Sequence, residues 1–346
     1  MANRLTFTPD AWTHKAAFDY CQRLARSHYE NFTVGSWLIP RDKLRHMYAI
    51  YAYCRTVDDL GDEATTRNLE GPPSGRTGPT GPAEPAQPDA VARLAAFLPE
   101  MGGEKGQDER SYRLSLLALW QSELEACYSS KPVHPVMVAL QETIEEFELP
   151  PEPFLKLIEA NRMDQHNHRY PTYRDLLHYC EHSANPVGRL VLGLFGYRDE
   201  GRGSLSDATC TALQLTNFWQ DVARDYRKGR IYIPLEDMER FGYTERELDR
   251  GTATPAFRQL MAFEVDRAMD LFRVGAPLAS TLEGTVRLDV ALFTRGGMAV
   301  LEAIEKQSYD VLTERPRLSR ARKAGLFLST WASWKLGLGL GLPGPR

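Results

Sequence analysis

The chain has 346 residues, 42% hydrophobic and 25% charged, an ordinary globular composition with enough apolar material for a sizeable core. Its 42 Lys and Arg against 46 Asp and Glu leave a net charge of -4, the wrong balance for a protein whose affinity comes from pairing cations with nucleic-acid phosphates. The start, MANRLTFTPDAW, holds no apolar run of signal-peptide type, and five scattered cysteines without a CxxC pair suit reduced thiols in a cytoplasmic protein.

Taken in chain order, apolar positions recur at helical spacing over Trp12 to Tyr29 and over Arg41 to Asp62, where Leu44, Met47, Tyr48, Tyr51, Cys54 and Val57 form one stripe. Residues 71–90 then hold six prolines and four glycines, too many for a helix and with little to bury. The expectation is a disordered Pro/Gly-rich insert over residues 64–90, inside one domain. Helical pattern resumes over Ser111 to Tyr128, Val136 to Glu148 and Phe154 to Gln165. Tyr173 to Phe195 is helical too, with Asn185-Pro186 bending or dividing it because proline cannot donate to the helix ladder. Leu205 to Asp225, Ala256 to Leu271 and Val286 to Thr313 complete the series, and only Arg230 to Ile233 reads as extended. The fold class is all-α, a single domain over 1–346 with its core at about 12–328 and a C-terminal tail at 329–346.

The most apolar stretch, Gly325 to Leu342, is short for a bilayer span and carries Lys335 in its middle. It reads as a last core helix followed by a frayed tail. The sharper alternative is a weak interfacial contact through Trp331, Trp334 and the leucines, which would put the protein at the inner membrane face.

Two acidic ladders carry the chemistry. Positions four apart share a helix face with Cβ atoms about 5–6 Å apart, so Asp58 stacks on Asp62, and Asn217, Asp221 and Asp225 form a second column. A solvated acidic face explains any single such pair, but both ladders sit in aromatic company: Tyr48, Tyr51 and Tyr53 beside the first, Phe218 and Trp219 beside the second. Oxygen-only donors select a hard cation, and Mg²⁺ takes one or two carboxylates plus substrate phosphates. Two or three Mg²⁺ ions around a diphosphate would fit such ladders on facing helices. No EF-hand, P-loop or GxGxxG fingerprint is present, and His166, His168 and His182 show no metal-ligand spacing.

The run from Tyr51 through Cys54-Arg55-Thr56-Val57-Asp58-Asp59 to Asp62, and the run from Gln214 to Pro234, resemble the two signature motifs of the squalene/phytoene synthase family. Within it, ENF at Glu30 to Phe32, YCEHSANPVGR at Tyr179 to Arg189 and NFWQDV at Asn217 to Val222 are most similar to the HpnC-type subgroup, the hydroxysqualene synthases of hopanoid biosynthesis. The resemblance implies a trans-isoprenoid synthase-like helical bundle with a central apolar tunnel. It implies Asp58, Asp62, Asn217, Asp221 and Asp225 as Mg²⁺ ligands, and Arg55 and Arg295 as diphosphate contacts. Tyr51, Gln214 and Tyr179 match pocket positions, with Tyr179 the candidate for positioning water, and Phe32 lines the entrance. Asp59, turned about 100° from Asp58, is secondary.

Two departures stand out. Glu30 replaces part of a Ser-x-Ser-Phe box, and Gln220 stands where many members carry Arg before the second-motif Asp. Both subtract cationic or donor groups from the diphosphate end, which favours a substrate with one diphosphate. The expected reaction is Mg²⁺-dependent conversion of presqualene diphosphate to hydroxysqualene without NADPH, coupled functionally to the enzymes before and after it in squalene synthesis. The alternatives are head-to-head condensation of two prenyl diphosphates and, from another class, an all-α Mg²⁺-dependent nucleotide pyrophosphatase.

Overall fold

A computed structural model describes residues 12–27, 39–65 and 108–342. Glu30, Phe32 and residues 66–90 of the expected insert lie outside that range. The chain divides into two compact units, Met1–Gln165 and His166–Arg346, a boundary that no linker composition announces.

In the first unit, α1 (His14–Ser27) and α2 (Arg41–Asp62) pack on each other, and both touch α4 (Pro135–Phe147). The helices α3 (Glu109–Ser129) and α5 (Glu152–Met163) close the other side of α2. Asp108 starts α3 by accepting from the Ser111 N–H at 2.8 Å, which satisfies one of the open donors of a helix start. Of the stripe read from the sequence, Met47, Tyr48 and Val57 are buried while Leu44, Tyr51 and Cys54 are half-buried, and α2 also buries Ile50, Tyr53 and Leu60. Tyr53 is fully buried, stacks on Trp120 with ring centroids 5.5 Å apart, and donates its hydroxyl to the Phe154 carbonyl at 2.9 Å. Ala64, expected to open the insert, is buried, and its carbonyl accepts from Arg113 at 2.9 Å.

The second unit is organised on α8 (Glu200–Arg227), the longest helix. Around it lie α6 (Tyr173–Ser183), α7 (Asn185–Leu194), α11 (Pro255–Gly275), α12 (Leu278–Thr281) and α13 (Gly284–Lys306). Asn185-Pro186 divides the Tyr173 to Phe195 pattern into α6 and α7, as the missing proline N–H requires. Arg230 to Ile233 is extended: the Ile231 N–H donates to the His168 carbonyl and that of Leu235 to Tyr170, each at 2.9 Å. Two short helices, α9 (Leu235–Arg240) and α10 (Glu245–Asp249), follow it; neither is long enough to show a period in the sequence.

The last helix, α14 (Arg320–Lys335), corrects the reading of the tail. It is a surface helix with Thr330 as its one buried residue, because its apolar residues are spread around the axis instead of gathered on one face. The segment after it is anchored, with Leu340 buried against Ala279 and Ala291. No helix among the described residues is long and apolar enough to cross a membrane.

Candidate active site

In the first unit, Tyr51, Arg55, Asp58 and Asp62 share one face of α2, spaced four, three and four apart. Asp58 keeps contact with solvent yet sits low among surrounding groups, with Asn161 of α5 donating to its Oδ1 at 3.3 Å. That enclosure, reinforced by the Asp62 charge, pushes its carboxyl up to about 7. Asn161 is fixed in turn: its Nδ2 also donates to the Leu157 carbonyl, and Gln165 bridges the carbonyls of Gly61 and Asn161 at 2.9 and 3.0 Å. Gly61 is required here, since a Cβ would lie 2.2 Å from Asn161 Oδ1. Arg55 turns to its own helix, 2.5 Å from Asp59 and 3.1 Å from Glu63. Asp59 is therefore the partner of Arg55 and not a third rung of the ladder. Tyr51 is half-buried, and its hydroxyl is raised above the ordinary value by burial.

In the second unit, Gln214, Asn217, Asp221 and Asp225 line one face of α8. Burial, with the Asp221 charge one turn away, pushes the Asp225 carboxyl up to about 7. Asp221 is met by a residue the sequence reading passed over. Arg315 approaches it side-on, Nε to Oδ1 and an NH2 nitrogen to Oδ2, both at 2.7 Å. The same NH2 nitrogen donates to Gln220 Oε1 at 3.1 Å, and Gln220 Nε2 donates to the Pro316 carbonyl. The cation that Gln220 subtracts from the sequence motif is thus returned in space by Arg315, with Gln220 holding it. This corrects the inference that position 220 thins the positive charge beside Asp221. Arg315 carried no sequence signal, because it stands 94 residues from its partner in an irregular turn.

Arg295 serves the C-terminal segment. Its guanidinium donates to Thr330 Oγ1 at 2.7 Å and to the Leu340 carbonyl at 3.4 Å, and no carboxylate contacts it among the described residues. Tyr179 is buried in an aromatic group, with ring centroids 5.5 Å from Tyr170, 6.0 Å from Tyr232 and 6.2 Å from Phe218. Tyr232, delivered by the extended run, stacks on Phe218 at 3.8 Å with planes 8° apart. A cavity of about 10 Å³, the size of one water, lies among Phe218, Asp225, Arg230 and Tyr232.

Among the described residues no three His, Cys, Asp or Glu side chains converge to enclose a metal on their own. The donor chemistry nevertheless fits a hard cation that keeps waters and takes substrate oxygens: carboxylates one turn apart, no nitrogen or sulfur ligand, and two of them pushed up by loss of solvent and by the neighbouring carboxylate.

The family model for squalene/phytoene synthase matches residues 25–322. The chain belongs to the squalene/phytoene synthase family. It is 41% identical to squalene synthase HpnC from Alicyclobacillus acidocaldarius, covering 86% of this chain and 95% of that one with a TM-score of 0.70. A dehydrosqualene synthase solved with a ligand shares the fold at 23% identity and a TM-score of 0.73, over 93% of this chain and 98% of that chain. The phytoene synthase of Arthrospira platensis is 28% identical over 316 residues, 88% of either chain. The 15-cis-phytoene synthase of Synechocystis sp. is 29% identical over 320 residues, 89% of this chain and 82% of its own. Family members are enzymes acting on prenyl diphosphates, so this chain is an all-α prenyl-diphosphate enzyme of isoprenoid biosynthesis, and the nucleotide-pyrophosphatase reading falls.

Proposed function

We propose that the protein converts presqualene diphosphate to hydroxysqualene, releasing diphosphate. The observation that carries this reading is the 41% identity to HpnC over nearly the whole of that chain, against 28–29% to the phytoene synthases. In this reading Asp58 and Asp62 on α2, and Asn217, Asp221 and Asp225 on α8, hold Mg²⁺. When bound, the metal neutralises the departing diphosphate.

The rest falls to the chain's own side chains. Asn161 orients Asp58, and Gln220 orients Arg315, whose remaining NH1 nitrogen, engaged by neither Asp221 nor Gln220, is left to donate to the diphosphate beside Asp221. The C–O bond of the substrate breaks with both electrons leaving on the diphosphate. The cyclopropylcarbinyl cation that remains rearranges, and water adds and loses a proton to leave the alcohol. No electron donor enters this balance, which agrees with the expected independence from NADPH. Tyr232 is stacked by both Phe218 and Tyr170, which leaves Phe218 and Tyr179 as the rings of this group to shelter a cation, worth about 0.5–2 kcal/mol each. An apolar product of this size fits the functional coupling to neighbouring enzymes of squalene synthesis that the sequence suggests.

Head-to-head condensation is the second reading, favoured by the phytoene synthase relatives and by the cation that Arg315 restores beside position 220. Incubation with presqualene diphosphate and with farnesyl diphosphate separately, each with Mg²⁺ and with or without NADPH, separates the two. The alcohol from presqualene diphosphate alone supports the proposal. A hydrocarbon formed from the prenyl diphosphate, with presqualene diphosphate giving no alcohol, overturns it.

A further inference from the structure

From Arg315 to Arg346 the sequence contains seven cations and no Asp or Glu, in a chain whose net charge is -4. The helix α14 occupies the middle of this segment, and it is held at several points. Thr330 is wholly buried and bonded to Arg295, Arg322 pairs with Glu302 at 3.0 Å, and beyond the helix Leu340 is buried against Ala279 and Ala291. With its start, middle and end tied, the outer surface of the segment is a fixed feature.

That surface carries exposed apolar side chains set among its cations. Ala321, Ala324, Leu328 and Trp331 follow one another at three- and four-residue spacing, all exposed, with Leu328 60% and Trp331 41% exposed. Just past the helix, Leu336 and Leu338 are 71% and 56% exposed. A helix face turned to water is ordinarily polar. Around this face stand cations: Arg317, Arg320 and Lys323 are exposed and make no ion pair among the described residues, and Lys335 lies 4.8 Å from the Trp334 ring centre. A second copy docking here through the same patch would bring two sets of unpaired cations together, and like charges would oppose it. Greasy side chains ringed by unpaired cations match a bilayer surface whose headgroups are anionic.

We propose that the segment from Arg317 to Leu342 docks the enzyme onto an anionic lipid surface. Leu328, Trp331, Leu336 and Leu338 enter the headgroup–acyl boundary, while Arg317, Arg320, Lys323 and Lys335 meet the phosphates. None of these residues belongs to the acidic ladders, so the proposal stands apart from the choice of substrate.

The test is co-sedimentation of the full-length protein with vesicles of phosphatidylcholine alone, and of phosphatidylcholine mixed with phosphatidylglycerol, at low and high salt. Binding is expected to the anionic vesicles, weakening with salt, with a blue shift of tryptophan emission. Each surface cation contributes about fivefold in affinity, so R317Q/R320Q/K323Q/K335Q should lower binding at least tenfold. So should L328Q/W331Q/L336Q/L338Q, whose sites face outward and whose circular dichroism and turnover of detergent-dispersed substrate should match the parent. Equal binding to both vesicle types, binding unchanged in either variant, or a lipid-free dimer that only the leucine and tryptophan variant dissociates would overturn the proposal.

Discussion

The Arg315 guanidinium faces the Asp221 carboxylate side-on, two N–H groups against two oxygens at 2.7 Å each, across 94 residues of sequence. Planar two-point pairing is the strong form of a charged hydrogen bond, and it leaves part of the guanidinium free for a further anion. Arg315→Gln should therefore retain the fold and lose about 10²–10³ in turnover, the usual cost of one missing electrostatic stabiliser. Arg315→Lys should recover only part of this, because an ammonium is a point charge. Steady-state diphosphate release with circular dichroism as the control decides it; a fully active Arg315→Gln would confine Arg315 to a structural role.

Asp58→Ala and Asp221→Ala should each reduce turnover by a similar factor of about 10²–10³ while leaving a folded protein, since each removes an oxygen donor to the proposed cation. Titration with Mg²⁺ separates metal loss from substrate loss. The requirement for Mg²⁺ should rise in both variants, and a folded variant with normal activity and normal Mg²⁺ dependence would refute the assignment.

Gly61→Ala probes the same site without altering a functional group. The added Cβ would meet Asn161 Oδ1 at 2.2 Å, and the Asn161 amide is pinned by its bonds to the Leu157 carbonyl and Asp58, so it has little room to yield. Overpacking of this kind costs about 1–3 kcal/mol, and the displaced amide can no longer orient Asp58. The expected result is lower stability in a denaturant titration together with reduced turnover. Asn161→Ala should restore the stability of Gly61→Ala in part, and its turnover not at all.

Much of this architecture is legible in the sequence where local pattern rules. The extent of α2 follows from its stripe and the preceding Pro40, and the split between α6 and α7 from Pro186. The acidic ladders are visible because four-residue spacing is a local fact. What escapes is non-local. Arg315 lies in no periodic segment, Asn161 reads as one more polar helix residue, and Arg295 stands on a largely apolar helix, 35 residues or more from the Thr330 and Leu340 groups it bonds. The exposure of α14 was hidden as well, since hydrophobicity alone cannot distinguish a face buried in protein from one held outward.

Glu264 on α11 supplies a pH dependence. Its side chain is wholly buried beside Asp237, with Arg267 donating to Asp237 and lying 3.5 Å from Glu264. One guanidinium against two carboxylates leaves a surplus of negative charge, and burial first, then Asp237, pushes Glu264 up to about 8 from an ordinary 4.5. The unfolded chain gives up this proton near 4.5 while the folded protein keeps it to about 8, so between those values the native state binds the extra proton. Stability from this group is complete below 4.5 and falls as pH rises through the window, by at most about 1.4 kcal/mol per pH unit. Asp289, buried with Oδ1 unbonded, is likewise pushed up to about 8 and adds the same sign, and Asp58 and Asp225 lean that way up to about 7. Glu264→Gln keeps the shape and a donor toward Asp237 without an ionisable proton. Urea titrations of parent and variant at pH 6 and pH 8.5 should therefore show the variant gaining on the parent as pH rises, by about 1–3 kcal/mol, and Glu264→Gln with Asp289→Asn should flatten the slope further. A parent and variant that lose stability in parallel would mean that Glu264 is ionised throughout and that Arg267 alone suffices for both carboxylates.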